Sequence, residues 1–340
     1  MRVPTLRSAL PASLVVLSLV LAGCGGDDGE EPEGAESSSQ APAPEEPATW
    51  PLTGLEAAEG EEVELDHPPL VVKIPNTGLS DTQIGLSKAD LVVEQMVEGR
   101  TSRLAAFFYS QLPKEVGPVR SMRATDIGIA APIDGLLVAS GAANQTVDRL
   151  RKNDVEFVGE GSAGFYRMSG RSAPYDLFAN LRKVAKAAED GTAERPADYL
   201  PWGAAADLPQ GRPAATLSAD FGNHTTNWAF QGGAYVNKST FAAKGDEFRA
   251  DSVLVIRVKV VDAGYTDAAD NPVPESKFVG KGAMQLFHDG MVVEGTWSKD
   301  ELDSPLALAT ADGELKVPAG KVWIQLVPVD NAGGSVTFGK

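Results

Sequence analysis

The sequence predicts an α+β fold, with an N-terminal mixed α/β domain followed by a smaller, mainly β domain. Three observations lead to it. Between residues 50 and 190, β-branched runs alternate with helical patterns; a Pro-, Gly- and Ala-rich stretch at residues 192–213 then interrupts them; and beyond it strand patterns separated by turn signals dominate. The 340 residues suffice for about two domains, and 43% hydrophobic with 23% charged residues is a globular composition.

The chain opens with Arg2 and Arg7, an apolar run from Leu14 to Leu21, and Ala22-Gly23 leading to Cys24, its single cysteine. The apolar run is too short to span a bilayer comfortably, so residues 1–23 read as a lipoprotein signal peptide with the Cys24 thiol as the lipid acceptor. This places the mature protein on the extracytoplasmic face of the cell membrane, with the membrane as a partner through that lipid. Residues 24–49 read as a disordered acidic linker, because residues 25–49 hold eight acidic residues, no basic one and no large apolar one.

The N-terminal domain is assigned to residues 50–205. Strands are predicted at residues 70–74, 89–97 and 104–109, the last two joined by a charged turn around Gly99. Helices are predicted at residues 124–131, 145–152 and 177–188, with an extended piece at residues 135–140. The C-terminal domain, residues 206–335, carries strand patterns at residues 253–261, 282–288, 291–297 and 322–329, separated by turns such as His288-Asp289-Gly290.

Several function classes are excluded by what the sequence lacks. One Cys rules out a disulfide framework and a Cys-rich metal centre, and three scattered His leave little for a His-based zinc site. A formal charge of −17 opposes general binding to nucleic acid, although a local basic pocket is compatible with it. The Gly-x-Ser-x-Gly, Walker and His-Glu-x-x-His signatures are missing, and no metal or cofactor is assigned.

The densest chemical feature is Gly117-Pro118-Val119-Arg120-Ser121-Met122-Arg123, read as a turn opening a helix. Two guanidiniums three residues apart would then share a helix face and could clamp a phosphate or carboxylate, or one could simply pair with Asp126 or Glu115. Arg100 and Arg103 flank the charged turn near Glu94 and Glu98, and Asp90 begins the same strand. If these elements converge, they form an anion pocket; otherwise they are cross-strand ion pairs. Arg167 and Arg171 lead into a third cluster in which Ser172 or Asp176 is a candidate helix cap. His224 and His288 read as surface or capping residues, and Trp297 and Trp323 as core; Trp202, Trp228 and Tyr235 read first as packing and second as a ligand groove.

The order of motifs Pro51-Leu52-Thr53-Gly54, Val72-Lys73-Ile74-Pro75-Asn76, Gly85-Leu86-Ser87-Lys88-Ala89-Asp90, Gly117-Pro118-Val119-Arg120-Ser121-x-Arg123 and Arg171-x-Ala173-Pro174 resembles the YerB-like bacterial lipoprotein family. Gly295-Thr296-Trp297 and Pro318-x-Gly320-Lys321-x-Trp323-Ile324 resemble its C-terminal domain. The resemblance implies two domains on a lipid anchor, with no assigned activity. Where that family has His-Asn after Ala-Pro, this chain has Tyr175-Asp176. The succession of strand, Asp90, strand and Arg-bearing turn is also similar to LytR-CpsA-Psr glycopolymer ligases, without residue-by-residue agreement.

The functional expectation is a membrane-anchored protein whose ligand site comprises Arg103, Arg120, Ser121, Arg123, Arg171, Asp90 and Glu98. Its ligand would be an anionic cell-wall polymer or envelope protein. The alternative is a phosphoryl or glycopolymer transferase in which Asp90 or Glu98 holds Mg²⁺ and the arginines stabilise phosphate charge.

Overall fold

The computed structural model describes residues 47–80, 82–267, 269–329 and 333–340. The signal peptide, Cys24 and the linker up to residue 46 lie outside the described residues. The last linker residues are already part of the folded body: Thr49 bridges Glu56, and the Arg195 guanidinium donates to the Thr49 carbonyl at 2.8 Å.

The first strands follow the period-2 pattern of the sequence. β1 (Leu70–Asn76), β2 (Leu91–Met96) and β3 (Ser102–Phe108) pair antiparallel in the order β2-β3-β1. The β2–β3 connection needs Gly99 at a φ of 68°, the left-handed region where a side chain is disfavoured. β4 (Leu136–Val138) and β5 (Phe157–Val158) extend the sheet in parallel beyond β1.

On the other side of β2 lies strand Val322–Pro328, parallel to it, and beyond that strand Ser252–Val258, again parallel. Strands Gly280–His288 and Met291–Lys299 complete a large twelve-stranded sheet with shorter edge pieces. One sheet therefore runs through both halves of the sequence. Strand Val322–Pro328 is buried at every position, as expected of a strand covered on both faces and paired on both edges.

Alternation sorts side chains between two cores. Val71, Leu91, Val93, Ala105 and Phe107 face one core, with helix α1 (Thr125–Ala130) and Tyr199. Leu70, Val72, Ile74, Val92 and Leu104 face the other, against a five-stranded sheet that contributes Leu217, Trp228, Tyr235 and Phe248. Trp228, Tyr235, Trp297 and Trp323 are therefore core residues, and Trp202 is half-buried with its indole donating to the Pro51 carbonyl.

The expected mixed α/β character of the first part is not found. Strands dominate, and α1, α2 (Asn144–Lys152) and α3 (Leu181–Ala188) span only six, nine and eight residues. The expected helix at residues 177–188 splits. Leu177–Ala179 forms a strand against Phe165–Arg167, and Asn180 caps α3 by accepting from the Lys183 N–H at 3.2 Å. The cap is thus Asn180, whereas Asp176 accepts from Arg167 at 2.5 Å.

Candidate functional site

Residues 117–123 are not the start of a helix. Their backbone lies between the end of β1 and residues 140–141: Arg120 N–H donates to the Lys73 carbonyl at 2.8 Å, Met122 N–H to Gly141 at 3.0 Å, and Ser140 N–H to Arg120 at 3.0 Å. α1 begins only at Thr125. Gly117 lets the segment pass close to Phe178, whose ring lies 2.7 Å from where a Cβ would stand.

This placement gathers cations on one face of β1–β3. Lys73, fully buried, donates to Asp126 Oδ1 at 2.6 Å, and the same oxygen accepts from Gln95 at 2.5 Å. The other Asp126 oxygen accepts the Arg123 N–H at 2.6 Å. Arg123 makes a two-bond fork to Glu98, Nε to Oε1 and Nη2 to Oε2 at 2.8 Å, and its Nη1 donates to the Met122 carbonyl at 2.9 Å. Arg103 donates to the Ser121 carbonyl at 2.6 Å. Arg120 stacks on the Tyr175 ring at 5.0 Å and donates to the Pro174 carbonyl at 3.1 Å, while its buried Nε has no hydrogen-bond partner among the described residues.

The electrostatics record an excess of positive charge. Burial pushes Lys73 down to about 8, against the pull of Asp126. Burial and the neighbouring Arg123 push Arg103 down to about 9. Burial also lowers Arg120. In Arg123 burial acts the same way but is outweighed by the Glu98 fork, so its net shift is upward. Four cations therefore meet buried Asp126 and largely covered Glu98, with Asp267 acting on Arg123 from outside. The cluster opens on a cleft of about 760 Å³ lined by Arg120, Ser121, Arg123, Ser140, Asn144 and Tyr265. Asp267 stands at its edge; desolvation raises its carboxyl, but the N–H groups of Asn271 and Ala269, the Asn271 amide and the charge of Arg123 together hold it below the usual range.

Of the residues expected to form the site, Arg103, Arg120, Ser121, Arg123 and Glu98 come together. Asp90 does not join them. It immediately precedes β2, whereas Glu98 follows its end, and eight residues of near-extended chain amount to roughly 25 Å. Asp90 instead accepts from the N–H groups of Tyr109 and Ser110 at 2.7 and 3.0 Å and from the Ser110 hydroxyl. Burial raises its pKa. Arg171 does not line the cleft either: it lies over the Phe178 ring at 4.9 Å and donates to Thr82 at 3.3 Å. Arg167 pairs with Glu160 and Asp176, Glu115 accepts from the Tyr166 hydroxyl, and Arg100 packs beside Gly222.

Lys73 was missed by the sequence reading, although a lysine inside Leu70-Val71-Val72-Lys73-Ile74 is the kind of signal that marks a buried charge. The opposite face of the same strands carries a second polar cluster. Glu94, fully buried, accepts from Asn76 at 2.9 Å, Ser102 at 2.7 Å, Thr226 at 2.8 Å, Trp323 at 3.1 Å and Gln325 at 3.0 Å. His224 Nε2 lies 3.5 Å from it. Among the described residues, no group of three or more His, Cys, Asp and Glu is placed to hold a metal ion.

The fold matches known proteins. Two family models align with the chain, "Protein of unknown function (DUF3048) N-terminal domain" over residues 52–194 and its C-terminal domain over residues 216–324. The chain belongs to this family of two-domain proteins. Among its relatives is the Bacillus subtilis (strain 168) protein named "Putative lipoprotein YerB", 26% identical over 290 residues, covering 82% of this chain and 86% of the relative. The crystal structure of YerB protein from Bacillus subtilis matches with a TM-score of 0.70 and 23% identity, covering 85% of this chain and 99% of that one. The expected YerB-like resemblance is therefore shown at the level of sequence and of fold.

Proposed function

We propose that the mature protein is anchored through lipid on Cys24 to the extracytoplasmic face of the membrane and uses the arginine cleft to bind an anionic component of the cell envelope. The single observation that carries the binding assignment is the charge imbalance: Lys73, Arg103, Arg120 and Arg123 outnumber the carboxylates that act on them, Glu98, Asp126 and, from the cleft edge, Asp267, and the surplus opens on a cleft. Burying unbalanced cations costs free energy, and an incoming anion relieves that cost. Arg120 is the cation best placed to receive the ligand, because its ring stack fixes the guanidinium plane while Arg123 is already engaged by Glu98. The anchor assignment rests on Leu21-Ala22-Gly23-Cys24 and on the name carried by the relative.

Two experiments test this reading. Cys24→Ser should move the protein from the membrane fraction to the medium; a variant that stays membrane-bound contradicts the anchor. Arg120→Gln should abolish retention of the full chain on purified cell-wall polymer while the unfolding midpoint holds.

A further inference from the structure

We propose that the anion held in the arginine cleft is a phosphate group, bound between the Arg120 guanidinium and the uncapped N-terminus of α2. This rests on the anion-binding reading of the cleft and names its ligand class. The paired backbone bonds Met122–Gly141 and Ser140–Arg120, both 3.0 Å, hold the arginine segment beside the loop that leads into α2. One wall of the cleft is then Arg120, Ser121 and Arg123, another is Ser140 to Asn144, and Tyr265 to Asp267 line the remainder, with the Asp267 carboxylate the one acidic group among them.

α2 presents an unfilled positive end to this space. Its N-cap is Ala143, which has no side-chain acceptor, and its first turn holds no acidic residue. The first intrahelical bond runs from Val147 N–H to the Ala143 carbonyl at 3.1 Å, so the N–H groups of Asn144, Gln145 and Thr146 precede it. The Thr146 hydroxyl is engaged with Tyr265 at 2.5 Å and does not fold back as a cap. Arg149, Arg151 and Lys152 in the last turn match the negative end of the helix, while nothing comparable matches its start.

The geometry selects for shape as well as charge. A carboxylate has two oxygens in one plane and is satisfied by a single guanidinium fork, as Glu98 is by Arg123. Guanidinium donors on one wall and helix N–H donors on another call for acceptors pointing in different directions. A tetrahedral phosphate supplies them. The hydroxyls of Ser121 and Ser140, 3.2 Å apart, add neutral donors between the two walls. The buried Arg120 Nε, lacking a partner among the described residues, shows that the guanidinium is not saturated by the protein itself.

The test uses the full chain in phosphatidylcholine nanodiscs, titrated with glycerol 3-phosphate and with glycerate, its carboxylate counterpart. The expected result is at least tenfold tighter binding of the phosphate. Ala143→Asp, which places a carboxylate on the N-cap, should weaken that binding at least tenfold without lowering the melting temperature. Ser121→Asp should do the same from the opposite wall and serves where the first variant folds poorly. Competition by phosphatidylglycerol placed in the discs would identify a lipid headgroup as the source, and competition by a glycerol-phosphate wall polymer would identify the polymer; either supports the phosphate class. Equal affinity for both ligands, lost in Arg120→Gln, overturns the phosphate assignment and leaves the anion reading standing. Binding of neither overturns both.

Discussion

The same ends of β1, β2 and β3 carry two buried polar clusters, back to back. On one face Lys73 and Gln95 meet Asp126 while Arg103 donates to the Ser121 carbonyl; on the other Asn76, Glu94 and Ser102 meet Thr226, Trp323 and Gln325. The Glu94 cluster is closed, one carboxylate surrounded by neutral donors that tie β2 to strand Val322–Pro328 and to the five-stranded sheet. The Lys73 cluster is unbalanced and open, with surplus cations grading from fully buried Lys73 to half-buried Arg120 at the cleft. A saturated buried charge is a structural device, whereas an unsaturated one beside a cleft is where a ligand is expected.

The largest effect should come from the closed cluster. Glu94→Leu leaves the Trp323 indole and the Gln325 amide without their acceptor and takes one partner each from Asn76, Ser102 and Thr226, and should cost about 4 kcal/mol or more of stability. Urea unfolding measures this, and a loss below about 1 kcal/mol would mean the donors find other partners.

Next comes the Lys73–Asp126 pair. Asp126→Asn leaves Lys73 buried without its counter-ion, for an expected loss of about 3–5 kcal/mol. The double variant Lys73→Met, Asp126→Asn should recover most of that loss, since both buried charges disappear while the introduced amide oxygen still accepts from a neighbouring donor. No recovery would show that the pair stabilises beyond cancelling its own burial.

A smaller effect should appear on raising the pH. Lys73 is held at about 8 and Arg103 at about 9 in the folded chain, below their ordinary values of 10.5 and 12.5. The unfolded chain therefore binds more protons above pH 8, so these groups make stability rise from pH 8 towards 10. Lys299, held at about 8 by burial while it donates to the carbonyls of Glu301, Leu302 and Ser304, acts with the same sign. Urea midpoints at pH 7, 8, 9 and 10 check it; midpoints that stay flat or fall across that window would contradict it.

How much of this was legible depends on the distance over which each residue acts. Arg120 and Arg123 stood out because Gly117-Pro118-Val119-Arg120-Ser121-x-Arg123 is a local motif, and the Glu98 turn could be read from Gly99. The separation of Asp90 from Glu98 follows from β2 being one continuous strand, yet it becomes visible only when the strand's ends are fixed. The insertion of strand Val322–Pro328 between β2 and strand Ser252–Val258 is a pairing more than 200 residues apart in sequence, and periodicity carries no information on partners. For the same reason Glu94 looked like a neighbour of Arg100 and Arg103, although alternation turns it to the opposite face. The stretch at residues 177–188 failed as a helix because its first three residues find strand partners in Phe165–Arg167, a tertiary contact that overrides local pattern.

The smallest effect on stability should come from Arg120, where the comparison is sharpest. Arg120→Gln removes a half-buried cation that makes one bond to a carbonyl and one ring stack, so the cost should stay within about 1 kcal/mol. The decisive measurement is therefore retention of the full chain on purified cell-wall polymer, wild type beside Arg120→Gln, with urea midpoints taken on the same preparations. The account predicts that the wild type is retained and the variant is not, at midpoints that agree closely. Equal retention of the two, or loss of retention only together with loss of the fold, would contradict it.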